Sequence, residues 1–179
     1  MNPRIHRPHS AVIPVLLAFV LALAALVLVP SAGSAATNLV SNGTFETGTL
    51  AGWSCSAGSG AAVSGSAHTG TYALQGSPTS GDNARCSQSV SVRPSSTYTL
   101  SAWVKGSNVY LGADGGTSTW TSSTGWAQLT TTFTTSASAS TVTIYLHGWY
   151  GLPAYQADDV VLDGPGGTGP PPDLSLIHI

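Results

Sequence analysis

From about residue 38 onward apolar and polar residues alternate in short runs, and the clearest run is T-V-T-I-Y-L-H-G-W-Y-G, residues 141–151. Successive side chains of a strand point to opposite faces, so Val142, Ile144 and Leu146 share one face. Thr143, Tyr145, His147 and Trp149 share the other. The first set suits a packed core. The second is a ladder of aromatic and polar tips that a core does not need, and it marks a working surface. The same alternation sets Tyr98, Leu100, Ala102 and Val104 against Thr99, Ser101, Trp103 and Lys105. Gly106-Ser107 reads as a turn, after which Val109 and Leu111 point inward and Tyr110 outward. Further strands are predicted at 53–56, 61–63, 72–74, 85–92, 129–133 and 156–162. Gln88 falls on the inward parity of its strand, where a polar side chain has no evident role.

Short strands at close spacing, broken by Gly, Pro, Ser and Asn and accompanied by no amphipathic helix, predict an all-β fold, an antiparallel β-sandwich. Thr, Val, Tyr and Trp suit its half-buried, pleated surfaces. No internal repeat of fixed period is present.

The ends of the chain differ from this pattern. Arg4 and Arg7 precede a run from Ala11 to Val29 that is apolar apart from Pro14, and small residues follow at 31–36. A basic start, an apolar stretch and a small-residue cleavage region make residues 1–36 a secretory signal peptide, with export as the consequence. An uncleaved anchor is the rival, since the run approaches the roughly 20 residues that span a bilayer. No charge follows the run, which favours cleavage. The sandwich then occupies residues 37–164. Residues 165–172 are a Gly/Pro linker by composition, which implies a tethered downstream domain. Residues 173–179 do not continue that composition and are read as a truncated or artefactual tail.

Charge narrows the function classes. The chain has 5 Lys and Arg against 7 Asp and Glu, and past the signal only Arg85, Arg93 and Lys105 are permanent cations. No basic patch exists to meet phosphates, which excludes nucleic acid. Once the signal is removed, no membrane partner is expected, and the domain is read as a monomer. In an exported chain the pair Cys55 and Cys86 is expected to form a disulfide. Two buried thiols or a metal site are the alternatives, the latter lacking any CxxC or paired His.

Catalytic motifs are missing: no HExxH, no Gly-x-Ser-x-Gly and no phosphate-binding glycine loop. Glycoside hydrolysis needs two carboxylates flanking one bond, and most of the acids here sit in turns. Glu46 and Asp158 suit calcium better. Asp158 shares its parity with Val160 and Leu162, and a buried carboxylate is costly unless paired or bound to metal. Thr44 and the 68–70 loop offer carbonyl oxygens to such a hard cation.

Several stretches taken in order resemble a known family. They are Asn38-Leu39-Val40-Ser41-Asn42-Gly43-Thr44-Phe45-Glu46, Gly52-Trp53, and His68-Thr69-Gly70-Thr71-Tyr72-Ala73-Leu74. Residues 98–104 (Y-T-L-S-A-W-V) and 157–160 (A-D-D-V) continue the pattern. Together they resemble the family 4/9-type carbohydrate-binding modules attached to secreted actinobacterial chitinases and other glycoside hydrolases. The resemblance implies a jelly roll with structural calcium held by Thr44, Glu46, Gly70 and Asp158, with Asp159 as the alternative to Asp158. It also implies a non-catalytic domain that targets an attached hydrolase to polysaccharide, with chitin favoured over cellulose or another β-glucan.

Parity and resemblance together define the sugar-binding candidates. Aromatic rings stack on the apolar faces of pyranose rings, and nearby polar groups bond the hydroxyls. Outward parity gives Trp103, Tyr110, Tyr145, His147 and Trp149, and Trp120 and Tyr150 wall the groove from loops; for Trp103 the alternative is a second layer covering its face. His147 is expected to be a hydrogen-bonding wall. Phe45 and Trp53 are assigned to the core. The alternative is an extracellular adhesion or interaction domain built on the same sandwich, followed by a small glycoside hydrolase.

Overall fold

The computed structural model describes Met1 and residues 38–166, so the expected signal peptide, most of the linker and the tail lie outside the described residues. Within 38–166 the chain forms β1 (Ser54–Cys55), β2 (Gly60–Ser64), β3 (Tyr72–Gly76), β4 (Cys86–Ser91), β5 (Thr97–Ala113), β6 (Ser118–Thr134), β7 (Thr141–His147) and β8 (Tyr155–Asp163). Every ladder is antiparallel, in the order β1-β4-β7-β5-β8-β3-β2, with β6 on the remaining side of β5. The N-terminal half of β5 pairs with β8 through Thr99–Lys105, and its C-terminal half pairs with β7 through Tyr110–Ala113. One strand thus serves both layers of an antiparallel sandwich.

The turn expected at Gly106-Ser107 does not form. β5 runs straight through it, because β6 accompanies both halves and supplies partners on either side. Two bulges absorb the mismatch. Between the pairs Val104↔Ala127 and Gly106↔Ser123, β5 advances two residues and β6 four, so β6 carries two extra. Between Gly106↔Ser123 and Val109↔Thr121, β5 advances three and β6 two, so β5 carries one extra. Bulges bend a strand and redirect its side chains. Here they switch the buried parity of β5 from Tyr98, Leu100, Ala102 and Val104 to Val109, Leu111 and Ala113. Gly106 has φ +138°, and a Cβ there would lie 2.9 Å from the Tyr155 Cβ, so the kink requires glycine.

The core fills with the inward sets. Leu100, Leu111, Ile144, Leu146 and Leu162 are fully buried, as are Tyr98, Tyr155 and Phe45. Phe45 and Trp53 are core residues in contact with each other, their centroids 5.6 Å apart. Gln88 also acquires a role. Its amide oxygen accepts from the Ser41 N–H at 2.8 Å, and its NH2 donates to the Ser41 carbonyl at 2.9 Å. The inward polar residue satisfies the N-terminal segment as that segment crosses the sandwich. The start of the domain meets its end: Asn38 bonds Val160 and Leu162, and the Val160 N–H donates to the Gly43 carbonyl.

Cys55 and Cys86 are disulfide-bonded and join β1 to β4. Past residue 164, Pro165 and Gly166 remain attached to the domain, through the Tyr98 hydroxyl and a bridge from Val92 to Gly166.

Candidate functional site

Adjacent strands place one row of side chains side by side on the outer face of the β7–β5–β6 ladder. Tyr110 pairs in register with His147 on β7 and with Trp120 on β6, and Gly112 pairs with Tyr145. The rings follow this register. Tyr110 lies 4.6 Å from His147 with planes 14° apart, 5.9 Å from Trp120, and 5.6 Å from Trp149. His147 continues to Tyr145 at 5.6 Å, and Trp149 meets Tyr150 edge-on at 5.8 Å. Six of the seven aromatic or imidazole candidates therefore form one continuous cluster.

Exposure divides the cluster. Tyr110, Tyr145 and His147 are half-buried between their neighbours. Trp120 is 56% exposed, Trp149 44% and Tyr150 49%. Met1 apart, these three are the exposed large hydrophobic residues among the described residues. Side chains that normally avoid water are thus gathered on one face.

The loop that carries Trp149 and Tyr150 is fixed. β7 ends at His147, two residues sooner than the alternation suggested, so Trp149 sits in the turn after the strand. The cause is Gly148-Trp149-Tyr150-Gly151, whose backbone bonds to another loop and not to a strand. Gly148 N–H donates to the Asn83 carbonyl and Gly151 N–H to the Thr79 carbonyl, both at 2.9 Å. Gly148 packs where a Cβ would come within 2.7 Å of Pro78. The two exposed rings are held ready by these bonds.

Two groups missing from the sequence-based set complete the face. The Arg85 guanidinium lies 4.3 Å from the Tyr145 ring centroid and donates to Asp114 at 2.7 and 2.8 Å. Arg85 shares the outward parity of Ser87 and Ser89, which was the available signal. Asp114 lies in a turn and gave none. Tyr145 is seated over Gly112, where a Cβ would lie 2.6 Å from the tyrosine oxygen. The His147 Nδ1 is 2.6 Å from the Gly148 carbonyl, which only accepts, so Nδ1 holds the proton and Nε2 is an acceptor. Burial holds the His147 pKa below the ordinary imidazole value. The Gly148 bond opposes this, and the Arg85 charge adds to it.

Trp103 stands apart from the cluster. Its ring stacks on His68 at 4.0 Å, and His68 in turn meets Trp126 edge-on at 5.6 Å. Lys105 Nζ lies 4.7 Å over Trp126 and donates to the Ser66 carbonyl. A second layer covers Trp103, and that layer is the 65–70 loop.

Of the calcium candidates, Glu46, Gly70, Asp158 and Asp159 lie in or against the same loop, and Thr44 is exposed in the N-terminal turn. Asp158 is fully buried, and its carboxylate accepts N–H bonds from His68, Thr69 and Asp159. Burial pushes its carboxyl above the ordinary carboxylate range, the Thr69, Asp159 and His68 N–H groups pull it back, and the Asp159 charge raises it further. Glu46 accepts from the Thr71 and Tyr72 N–H groups. Gly70 is cradled against it, since a Cβ there would lie 2.5 Å from the Glu46 carboxyl carbon. Asp159, at φ +47°, turns outward to His68 and Thr69. Among the described residues no three His, Cys, Asp or Glu side chains form a metal-holding group, so carbonyl oxygens would have to supply most ligands. Among the described residues neither Glu46 nor Asp158 has a permanent cation beside it, and backbone N–H groups supply their hydrogen-bond partners.

Comparison with known proteins identifies the family and the fold. A family model described as a carbohydrate binding domain matches residues 37–156. Exochitinase 1 of Streptomyces olivaceoviridis is 52% identical over 165 residues, which are 88% of this chain and 27% of that protein. The chain therefore spans about a quarter of the length of this curated relative. Among solved structures, a family 16 carbohydrate binding module-2 is similar with TM-score 0.57 and 25% identity, covering 70% of this chain and 99% of that one. The CBM22-1 xylan-binding domain of Paenibacillus barcinonensis Xyn10C superposes with TM-score 0.58 over 74% of this chain and 97% of that one. At 19% identity the second likeness shows the fold alone.

Proposed function

This chain belongs to the family of carbohydrate binding domains, and from that premise we propose that its aromatic face holds a β-linked polysaccharide, chitin first among them. The domain is a non-catalytic binding module. The observation that carries the reading is the convergence of Trp120, Trp149 and Tyr150, the exposed large hydrophobic residues of the domain, on one preorganised face. These rings are about half exposed and are of the type that stacks on pyranose rings. Tyr110, His147 and Tyr145 support them from within the row. His147 Nε2 accepts from a sugar hydroxyl, and the Arg85–Asp114 pair offers a donor and an acceptor at the far end. Trp103 supports the 65–70 loop and lies outside the glycan contact. Chitin is favoured because the 52% identical relative is named an exochitinase.

Tethered to a hydrolase in an exported protein, the module would raise the enzyme's local concentration at an insoluble surface. Glu46 and Asp158, with the Thr44 and Gly70 carbonyls, would hold calcium. Its charge would offset that of the buried Asp158 carboxylate and fix the loop beneath the scaffold.

Pull-down of the domain on insoluble chitin, cellulose and xylan tests the function. We expect retention on chitin, lost in Trp149→Ala with folding intact. Failure to bind any of the three would end the polysaccharide reading.

A further inference from the structure

Beyond the rings, the paired bulges of β5 and β6 open a recess of about 210 Å³. It is lined by Gly106 and Ser107 of β5, by Ser122, Ser123 and Thr124 of β6, and by Pro153 and Ala154. The lining therefore combines a hydroxyl-bearing wall from β6 with the apolar Pro153 and Ala154. Ser122 follows Trp120 by two residues on the outward parity of β6, which puts it about 7 Å further along the same face. The apolar wall belongs to the segment that follows Trp149 and Tyr150. A sugar stacked on the exposed rings thus has its neighbour, or its own substituent, directed at this recess.

The hydroxyl wall is built. The Ser122 oxygen accepts from the Asn108 N–H at 2.9 Å and donates to the Asn108 side-chain oxygen at 2.8 Å. These bonds hold Asn108 at φ +50°, a conformation uncommon for a residue with a Cβ and frequent at functional positions. Ser107 and Thr124 are exposed to solvent beside this bulge. At its 2-position a plain β-glucan offers only a hydroxyl to such a recess, with no methyl for Pro153 and Ala154. An acetamido group has both halves: a methyl for Pro153 and Ala154, and an amide N–H and carbonyl for the hydroxyls.

We propose that this recess is a subsite for the acetamido group of a 2-acetamido sugar in a glycan stacked on Trp120, and that it selects chitin-type chains over unsubstituted glucans. The assignment rests on the glycan-binding reading of the aromatic face and adds the feature that chooses among glycans. Titration calorimetry with chitohexaose and cellohexaose, which share a backbone and differ at the acetamido group, tests it on the same domain. The wild type is expected to prefer chitohexaose by about tenfold or more, the scale of one or two hydrogen bonds and a buried methyl. Ala154→Phe, which fills the recess from an exposed position, should bring that ratio close to one, as should Ser107→Ala combined with Thr124→Ala. Trp120→Ala should weaken both sugars alike and leave the ratio in place. A wild-type ratio near one, or a ratio that survives both recess variants, overturns the subsite while leaving the aromatic face standing. If neither hexasaccharide binds the wild type, the glycan reading falls and the subsite falls with it.

Discussion

Tyr110 touches Trp120, His147 and Trp149, so its substitution would disturb the packing of three other rings. Trp149 is a cleaner probe, because it is exposed and lies outside any strand. Trp149→Ala should reduce affinity for chitin oligosaccharides by about tenfold or more, as loss of one stacking contact implies, with thermal unfolding unchanged. His147 makes a pH-dependent contribution. Its pKa is lowered in the fold, so the ring stays neutral below the ordinary value near 6.5, at which the unfolded chain already takes up a proton. The stability this group contributes is present above that value and lost as the pH falls through the lower folded value. Glycan retention that uses Nε2 as an acceptor should fade over the same acidic range. Retention measured from pH 8 to pH 4 should drop with a midpoint below 6.5, and the drop should be absent in His147→Gln.

At the scale of elements, Gln88 joins β4 to the N-terminal segment through two bonds to Ser41. Gln88→Leu would leave the Ser41 N–H and carbonyl without that partner and should destabilise the domain by about 1–3 kcal/mol, read from the denaturant midpoint. Alternation alone could not assign this role, because the partner lies 47 residues away. The same limit explains what else was legible. Inward and outward parity was readable for β7 and for both halves of β5, since a period of two is local. The bulges that join the halves of β5 depend on the register of β6, which no local pattern contains. Trp103 illustrates the consequence. Its outward parity was right and a covering layer was an open alternative, but parity does not reveal that the layer is His68 and the 65–70 loop. Phe45 and Trp53 were legible as core, whereas the role of Arg85 emerged only when the fold stacked it on Tyr145.

On the scale of the whole molecule, the first and last segments of the domain meet around the 65–70 loop, where Asp158 and Asp159 bond His68 and Thr69 while Glu46 bonds the Thr71 N–H just beyond it. If calcium is bound, chelation should lower the melting temperature and readdition of calcium should restore it, because a ligand held by the native state alone adds RT ln(1 + [L]/Kd) to stability. Magnesium, which demands a smaller and stricter octahedron, should restore it less. An unchanged melting temperature in chelator would remove the metal from the scaffold. The disulfide acts separately, tying β1 to β4 across 31 residues of chain, and its reduction should cost about 2–4 kcal/mol whether or not calcium is present.

The Arg85–Asp114 pair has a consequence for the conditions under which the face works. Arg85 is the permanent cation of the aromatic cluster, and Asp114 neutralises it at 2.7 Å. Such a surface exerts little long-range pull on a ligand and has little to lose when ions screen it. Encounter with polysaccharide should therefore proceed without electrostatic steering, at rates that hardly change between low salt and 1 M sodium chloride. Retention should persist across that range as well. Elution from a chitin column would then require a competing sugar or a denaturant, and a salt gradient alone should leave the domain in place.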